Sequence, residues 1–158
     1  MTRKVETEWQ TEIIKHIRSS GGYARKMGPQ IARGFPDLLV VANGETRFFE
    51  VKLLRLKGLA YLGKGHAQMR AIPLTANQQI EMGKIRQAGG RADLLLILQS
   101  EDAHMNDARM GCVSTPLVSK GIQSPVTVYA TPKNTGEFMP WGILRKARNL
   151  VPLLLKTL

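Results

Sequence analysis

"FPDLLVVANGETRFFEVKLL", residues 35–54, decides how the rest of the chain is read. Apolar residues at 38–42 and 48–54 flank Asn43-Gly44, the pair that favours a two-residue hairpin turn because both positions tolerate positive φ. Two strands, at 36–42 and 47–54, are therefore expected. Charged groups nevertheless stand in them, at Asp37, Glu50 and Lys52. Burying a charge costs several kcal/mol unless it is paired or holds a metal. On an extended strand Phe48, Glu50 and Lys52 share one face, and Phe49, Val51 and Leu53 the other. If the hairpin closes, Asp37 approaches Glu50 and Lys52, and two carboxylates and an ammonium converge.

Working outward, residues 5–19 read as a helix, with Val5, Trp9, Ile13 and Ile17 four apart and Ile14 widening the stripe; "SSGG" ends it. Residues 23–34 read as a loop, and 55–73 as a long basic connection containing glycine. Thr75 is a plausible N-cap for a helix to residue 88, ended by Gly89-Gly90. "ADLLLIL", residues 92–98, is a continuous apolar strand of the kind covered on both faces. The order α-β-β-α-β implies an α/β fold, with a mixed β-sheet core flanked by helices. Beyond residue 100 the pattern weakens. "SEDAHMNDARMG" reads as loop or short helix, "PVTVYAT" as a strand, and the C-terminal stretch from Pro140 as a basic helix broken near Pro152 with an apolar tail that packs on the same domain or on a second subunit. No repeat and no linker is evident, so one domain over 1–158 is expected, with a core of about 5–100. Residues 101–158 then form an extension for dimerisation or DNA contact.

The 158 residues suffice for one sizeable core. No apolar run is long enough to span a bilayer, and the N-terminus lacks the apolar segment of a secretory signal, so a cytoplasmic protein without membrane contact is expected. The single cysteine, Cys112, excludes an intramolecular disulfide and a thiol metal cluster. Lys and Arg number 23 against 12 Asp and Glu, a net charge of +11, which points to a polyanion, most simply nucleic acid. No acid lies between Glu12 and Asp37, or between Glu50 and Glu81. The bases in or beside these gaps, Arg25, Lys26, Arg33, Arg55, Lys57, Lys64 and Arg70, are the candidate DNA contacts. His16, His66 and His104 lack metal-site spacing and read as packing or surface residues. Trp9 reads as core, with base stacking as the lesser alternative, and Trp141 as a candidate subunit contact.

Two carboxylates and a lysine suit phosphodiester hydrolysis. Carboxylates from different elements can hold Mg²⁺, which keeps several waters and binds substrate phosphate, while a lysine can orient water or neutralise the transition state. The competing structural reading is a Glu50–Lys52 pair with Asp37 capping a turn after Pro36.

"GFPDLLVV" followed by "FFEVK" resembles the PD-(D/E)xK nuclease superfamily, and more closely its VRR-NUC branch, whose members resemble Holliday junction resolvases. The resemblance rests on Pro36-Asp37, Glu50-Val51-Lys52, Gly34 in "GFPD" three residues before Asp37, "LTANQ" with Gln78, and "AGGRADLLLIL"; it covers roughly residues 5–98. It implies a restriction-endonuclease-like fold, with Asp37, Glu50 and the Val51 carbonyl as metal ligands for Mg²⁺ (Mn²⁺ uses the same oxygens). Lys52 would assist the attacking water, and Gln78 would position phosphate, water or Lys52. Glu6 would complete the acidic cluster, being followed by Gln10 and Ile13 at the family's spacing, with Glu8 and Glu12 as its competitors. The implied activity is a metal-dependent endonuclease on branched DNA such as a four-way junction, acting as a homodimer with "LVPLLL" as a candidate interface. The alternatives are a nicking or restriction-type nuclease, a non-catalytic DNA-binding module of the same fold, and a basic RNA-binding protein. The long basic insertion before "LTANQ" departs from the family pattern.

Overall fold

The computed structural model describes residues 5–28, 31–56, 68–72, 74–100, 108–113, 126–130, 139–141, 144 and 150–155. Its elements run α1 (Glu6–Ser19), β1 (Tyr23–Lys26), β2 (Leu38–Ala42), β3 (Glu45–Leu56), β4 (Gln68–Ile72), α2 (Ala76–Gln87), β5 (Ala92–Ser100), β6 (Arg109–Val113), β7 (Val126–Ala130), β8 (Met139–Pro140) and α3 (Leu150–Leu154). Six strands form one mixed sheet in the order β1-β2-β3-β5-β6-β8, and β4 pairs with β7 in a separate two-stranded sheet. β3 and β5 are parallel, joined by the connection that contains α2; the other neighbours are antiparallel. The expected mixed sheet flanked by helices is therefore present.

The hairpin closes as its turn chemistry requires. Ala42 pairs with Glu45 across a two-residue loop in which Asn43 (φ 52°) and Gly44 (φ 78°) are both left-handed. Alternation along the strands then feeds two cores. Leu38, Val40, Phe49, Val51, Leu95 and Ile97 pack with Trp9, Ile13 and Ile17 of α1. Phe48, Leu54, Leu94, Leu96 and Leu98 face the other way, against Leu74, Met82 and Ile85 of the α2 region. Each buried aliphatic side chain contributes roughly 1.5–3 kcal/mol, so the two cores pin β3 at the centre of the sheet from both faces.

Both long helices hand over to their strands through one repeated device. "IRSSGGYA" (17–24) and "IRQAGGRA" (85–92) share Ile, Arg, the glycine pair and Ala at equivalent positions. In each, the N–H of the first glycine donates to the Arg carbonyl and that of the second to the Ile carbonyl, a Schellman closure. Arg18 and Arg86 then donate Nε–H to the carbonyls of Ala24 and Ala92. A Cβ on Gly22 or Gly90 would stand 2.8 Å from Cγ2 of the preceding Ile, so the junction is closed to larger residues. No repetition was expected from the sequence, because five shared positions in eight fall below the length at which a structural repeat is sought.

Four expectations need correction. Tyr23–Lys26, placed in a loop, is the edge strand β1; only Ala24 of the four is buried, so no alternation was visible. The connection 55–73 is shorter than expected, because β3 runs to Leu56 and Gln68–Ile72 forms β4. "RMG", residues 109–111, belongs to β6, not to a polar loop or helix. The C-terminal helix is not broken at Pro152, since α3 runs through it, and of the two places open to the apolar tail it takes the one on its own chain. Leu150, Val151, Leu153 and Leu154 are buried in the chain's own α1-side core. Buried Arg47 fastens the end of α3, donating from its guanidinium to the carbonyls of Leu154 (3.1 Å) and Leu155 (2.7 Å) while pairing with Glu45. Trp141 likewise sits in this core, edge-on to Trp9 at 5.4 Å between centroids. Cys112 is buried, and His16 packs edge-on against Trp141. Residues 101–158 thus supply β6, β8 and α3 to the same sheet and core. Among the described residues no helix is long and apolar enough to cross a membrane.

Candidate active site

β2 stops pairing at Leu38, opposite Phe49, so the flank of β3 beyond Phe49 has no β-strand on its β2 side. Side chains take over the orphaned backbone donors there. Asp37, one residue before β2, accepts the Val51 N–H at 2.9 Å. Glu6, in the first turn of α1, accepts the Leu53 N–H at 3.1 Å. A strand residue directs its N–H and C=O to the same side, so the Val51 carbonyl faces this same edge, between the two carboxylates. Glu6 is thus the helix acid seen to reach β3. Glu8 instead accepts the Val5 N–H at 2.7 Å and caps the helix.

Glu50 is on the α2 face of β3 and only 1% exposed. Its Oε1 takes two donors: Lys52 Nζ at 2.9 Å and Gln78 Nε2 at 2.5 Å. Its Oε2 is buried with no hydrogen-bond partner. Burial first, and then the negative charge of Asp37, push the Glu50 carboxyl up to about 7, against the opposing pull of Lys52. Burial also raises Asp37, partly offset by the Val51 N–H, Lys52, Lys26 and a side-chain hydrogen bond with the Glu50 carboxyl, which can form while the two share a proton. Two buried carboxyls side by side, each pushed toward its protonated form, are a donor pair whose chemistry fits a divalent cation.

Gln78 is held by its own helix. Thr75 Oγ1 accepts the Gln78 N–H at 3.2 Å, and Gln78 Oε1 accepts the Thr75 N–H at 2.9 Å, a reciprocal capping box. With its amide oxygen committed to the cap, its NH₂ group must point to Glu50. The loop before Asp37 is locked onto the same turn. Gly34 has φ 86°, and a Cβ there would lie 2.4–2.6 Å from backbone atoms of Asn77 and Gln78. Phe35 meets Phe48 edge-on at 5.4 Å. The Asp37 loop, the α2 cap and the Glu50 strand are thus one mechanical unit.

Asp37, Glu50, Lys52, Gln78 and, at the strand edge, Glu6 and Val51 are therefore gathered around one end of β3. Arg25, Lys26, Arg33 and Arg55 are exposed; Lys26 is near enough to act on Asp37. Lys57, Lys64 and His66 lie outside the described residues, as does His104, and Arg70 is on β4. Sequence reasoning treated Thr75 only as a cap and missed the Leu53 amide and the second buried acid, Asp93, which pairs with Arg86 at 3.1 Å. Among the described residues, no three His, Cys, Asp or Glu side chains form a metal cage. The donor set is instead two carboxylates and a carbonyl, suited to a cation that keeps several waters.

No family model and no curated protein matches the chain. Among solved structures, the chain is similar to Hjc of Archaeoglobus fulgidus, a Holliday junction resolvase from an archaeal hyperthermophile, with a TM-score of 0.45 and 12% sequence identity over 89% of this chain and 94% of that one.

Proposed function

We propose that this chain is a metal-dependent endonuclease that hydrolyses phosphodiester bonds in DNA, with branched DNA such as a four-way junction as its substrate class and a PD-(D/E)xK, VRR-NUC-like site. The observation that carries this reading is the unpartnered, buried Oε2 of Glu50 beside Asp37, in a chain of net charge +11. A fully buried carboxylate oxygen without a donor costs free energy that a structural ion pair would not leave standing.

Asp37, Glu50 and the Val51 carbonyl would hold Mg²⁺ or Mn²⁺. When bound, the cation supplies charge neutralisation on the phosphate and lowers the pKa of water. The chain's own groups do the rest. Gln78 and Lys52 occupy one oxygen of Glu50 and so turn the other outward to its ligand position. Lys52 Nζ, with hydrogens left after its bond to Glu50, orients the water that attacks phosphorus and offsets negative charge in the transition state. Glu6 and Asp37 keep the edge of β3 straight by satisfying its amides. Exposed Arg25, Lys26, Arg33 and Arg55, together with Lys57, Lys64 and Arg70, take the flanking phosphates. A homodimer would present two such sites to a twofold junction.

The test is cleavage of a labelled four-way junction, a flapped duplex and a linear duplex in Mg²⁺ or EDTA. Wild type is expected to cut branched DNA in Mg²⁺ only, and Asp37→Asn to lose at least a hundredfold in rate while still binding. Binding without cleavage of any substrate in Mg²⁺ or Mn²⁺ would replace this reading with a non-catalytic DNA-binding module.

A further inference from the structure

Among the described residues, the face of the sheet that bears Glu50 and Lys52 continues past them to the β1 edge, with Tyr23, Arg25 and Thr46 exposed and Leu39, Val41 and Phe48 half-buried. On β1 and β2 the alternate residues Ala24, Leu38, Val40 and Ala42 all belong to the α1-side core, so Tyr23, Arg25, Leu39 and Val41 project to the opposite face. There the register aligns Tyr23, Val41 and Thr46 in one row and Arg25, Leu39 and Phe48 in the next. Glu50 is the next residue on this face after Phe48, about 7 Å further along β3. Leu39 and Val41 join neither core, and no β1 or β2 residue belongs to the α2-side cluster. Tyr23 is 49% exposed, one of the few large apolar side chains left so. Between Tyr23 and Glu50 these rows contain no acid and one cation, Arg25, because Glu45 points to the other face and pairs with Arg47.

We infer that this open face is a shelf for unpaired bases of the DNA strand whose phosphate lies at Glu50 and Lys52. The inference rests on the proposed nuclease reading and narrows its substrate: DNA with a single-stranded arm at the branch, in preference to a fully paired junction. The chemistry is selective. A duplex presents its bases only as edges in the grooves, with their π-faces stacked out of reach. Unpaired bases expose their π-faces, which stack on aromatic and guanidinium groups without regard to sequence. Arg25 stands nearest the site as an exposed guanidinium, in a row with Leu39 and Phe48 that spans two strand spacings, about 10 Å; the Phe48 ring itself packs against Phe35 and floors the row. Tyr23 is one row further, at the sheet's free edge, where a strand can leave without obstruction. Continuity with the reacting phosphate, and a cation where the backbone must pass, make DNA the occupant and not a second copy of this basic chain.

The experiment is fluorescence anisotropy in EDTA, so that nothing is cut, with labelled oligonucleotides. A duplex with a ten-nucleotide unpaired arm is compared with the same duplex blunt and with a fully paired four-way junction. Wild type, Tyr23→Ala and Tyr23→Phe are tested, with 2-aminopurine in the arm's first bases to report stacking on the wild-type protein. Wild type is expected to prefer the armed duplex by about tenfold, on the scale of stacking one base. Tyr23→Ala should lose that preference while binding blunt duplex as before, Tyr23→Phe should keep it, and 2-aminopurine emission should fall on binding. An unchanged preference in Tyr23→Ala, equal weakening on all three DNAs, or unaltered 2-aminopurine emission would overturn the shelf. So would concentration-dependent self-association abolished by Tyr23→Ala, which would give the face to a second copy. Mg²⁺-dependent cleavage separates the two ideas. Cutting without arm preference sinks the shelf alone, and arm preference without cutting in any metal sinks the nuclease alone.

Discussion

Replacing Glu50 by Gln should make the metal-free protein more stable at pH 8, although it removes half of a buried ion pair. In the folded chain Glu50 titrates at about 7, against 4.5 when free of its surroundings. Between those values the native state binds a proton that the unfolded state has lost. Stability therefore falls as pH rises through this window, and the deficit is complete above about 7. The separation is about 2.5 units; at about 1.4 kcal/mol per unit, this is on the order of 3 kcal/mol. Gln fills the same volume, cannot ionise, and can still accept from Lys52 and Gln78 through its amide oxygen. For a chain of this length 1 kcal/mol moves Tm by roughly 2–4 °C, so wild type in EDTA should lose about 6–12 °C between pH 5 and 8 relative to Glu50→Gln. The assay is thermal denaturation followed by circular dichroism at half-unit pH steps. Millimolar Mg²⁺ or Mn²⁺ should return much of the deficit to wild type at pH 8, by mass action on the folded state, and give Glu50→Gln little. Parallel pH profiles for the two proteins, or a wild-type Tm that climbs from pH 5 to 7.5, would show that Glu50 is ionised and satisfied without metal. The orphaned oxygen would then carry no functional meaning.

Two further substitutions probe the unit that aims Glu50. Gly34→Ala must place a Cβ on a left-handed residue and within 2.6 Å of the Asn77–Gln78 backbone; it should cost upwards of about 2 kcal/mol in urea denaturation and lower cleavage more than DNA binding, because the loop carrying Asp37 must move. Gln78→Glu preserves the capping box, since a carboxylate accepts the Thr75 N–H as well as the amide did, but it sets an acceptor against Glu50. Its stability in excess Mg²⁺ should stay within about 1 kcal/mol of wild type, the usual worth of an N-cap, while Mg²⁺ affinity by thermal shift and cleavage rate both drop at least tenfold. Thr75→Ala serves as its mirror image, losing the cap with the Glu50 donor still chemically present.

The fold was legible where burial imposed a period and illegible where it did not. Residues 35–54 announced a hairpin because β2 alternates and Asn43-Gly44 accepts two positive φ values, and both α1 and α2 ended at their glycine pairs. β1 buries one residue of its four, so no pattern could mark it; it is a strand because β2 offers an edge, which is a tertiary fact. The tail "LVPLLL" was readable as apolar but not as internal. What decides its place is Arg47, more than a hundred residues earlier, whose guanidinium answers the carbonyls of Leu154 and Leu155. A buried arginine in a strand carries no local sign of its partner. The site was more legible than its surroundings for the opposite reason. Asp37, Glu50 and Lys52 violate the apolar pattern of strong strands, and violations of that kind concentrate where chemistry is done. Gln78 shows the limit of such reading. As an N3 residue after Thr75 it is fully explained by helix capping, and nothing local says that its NH₂ group has a second task. Only the parallel pairing of β3 with β5 brings α2 across the sheet so that the cap's spare donor meets Glu50. One residue thus starts a helix and aims a carboxylate, and the amide suits both tasks because it accepts at one atom and donates at the other.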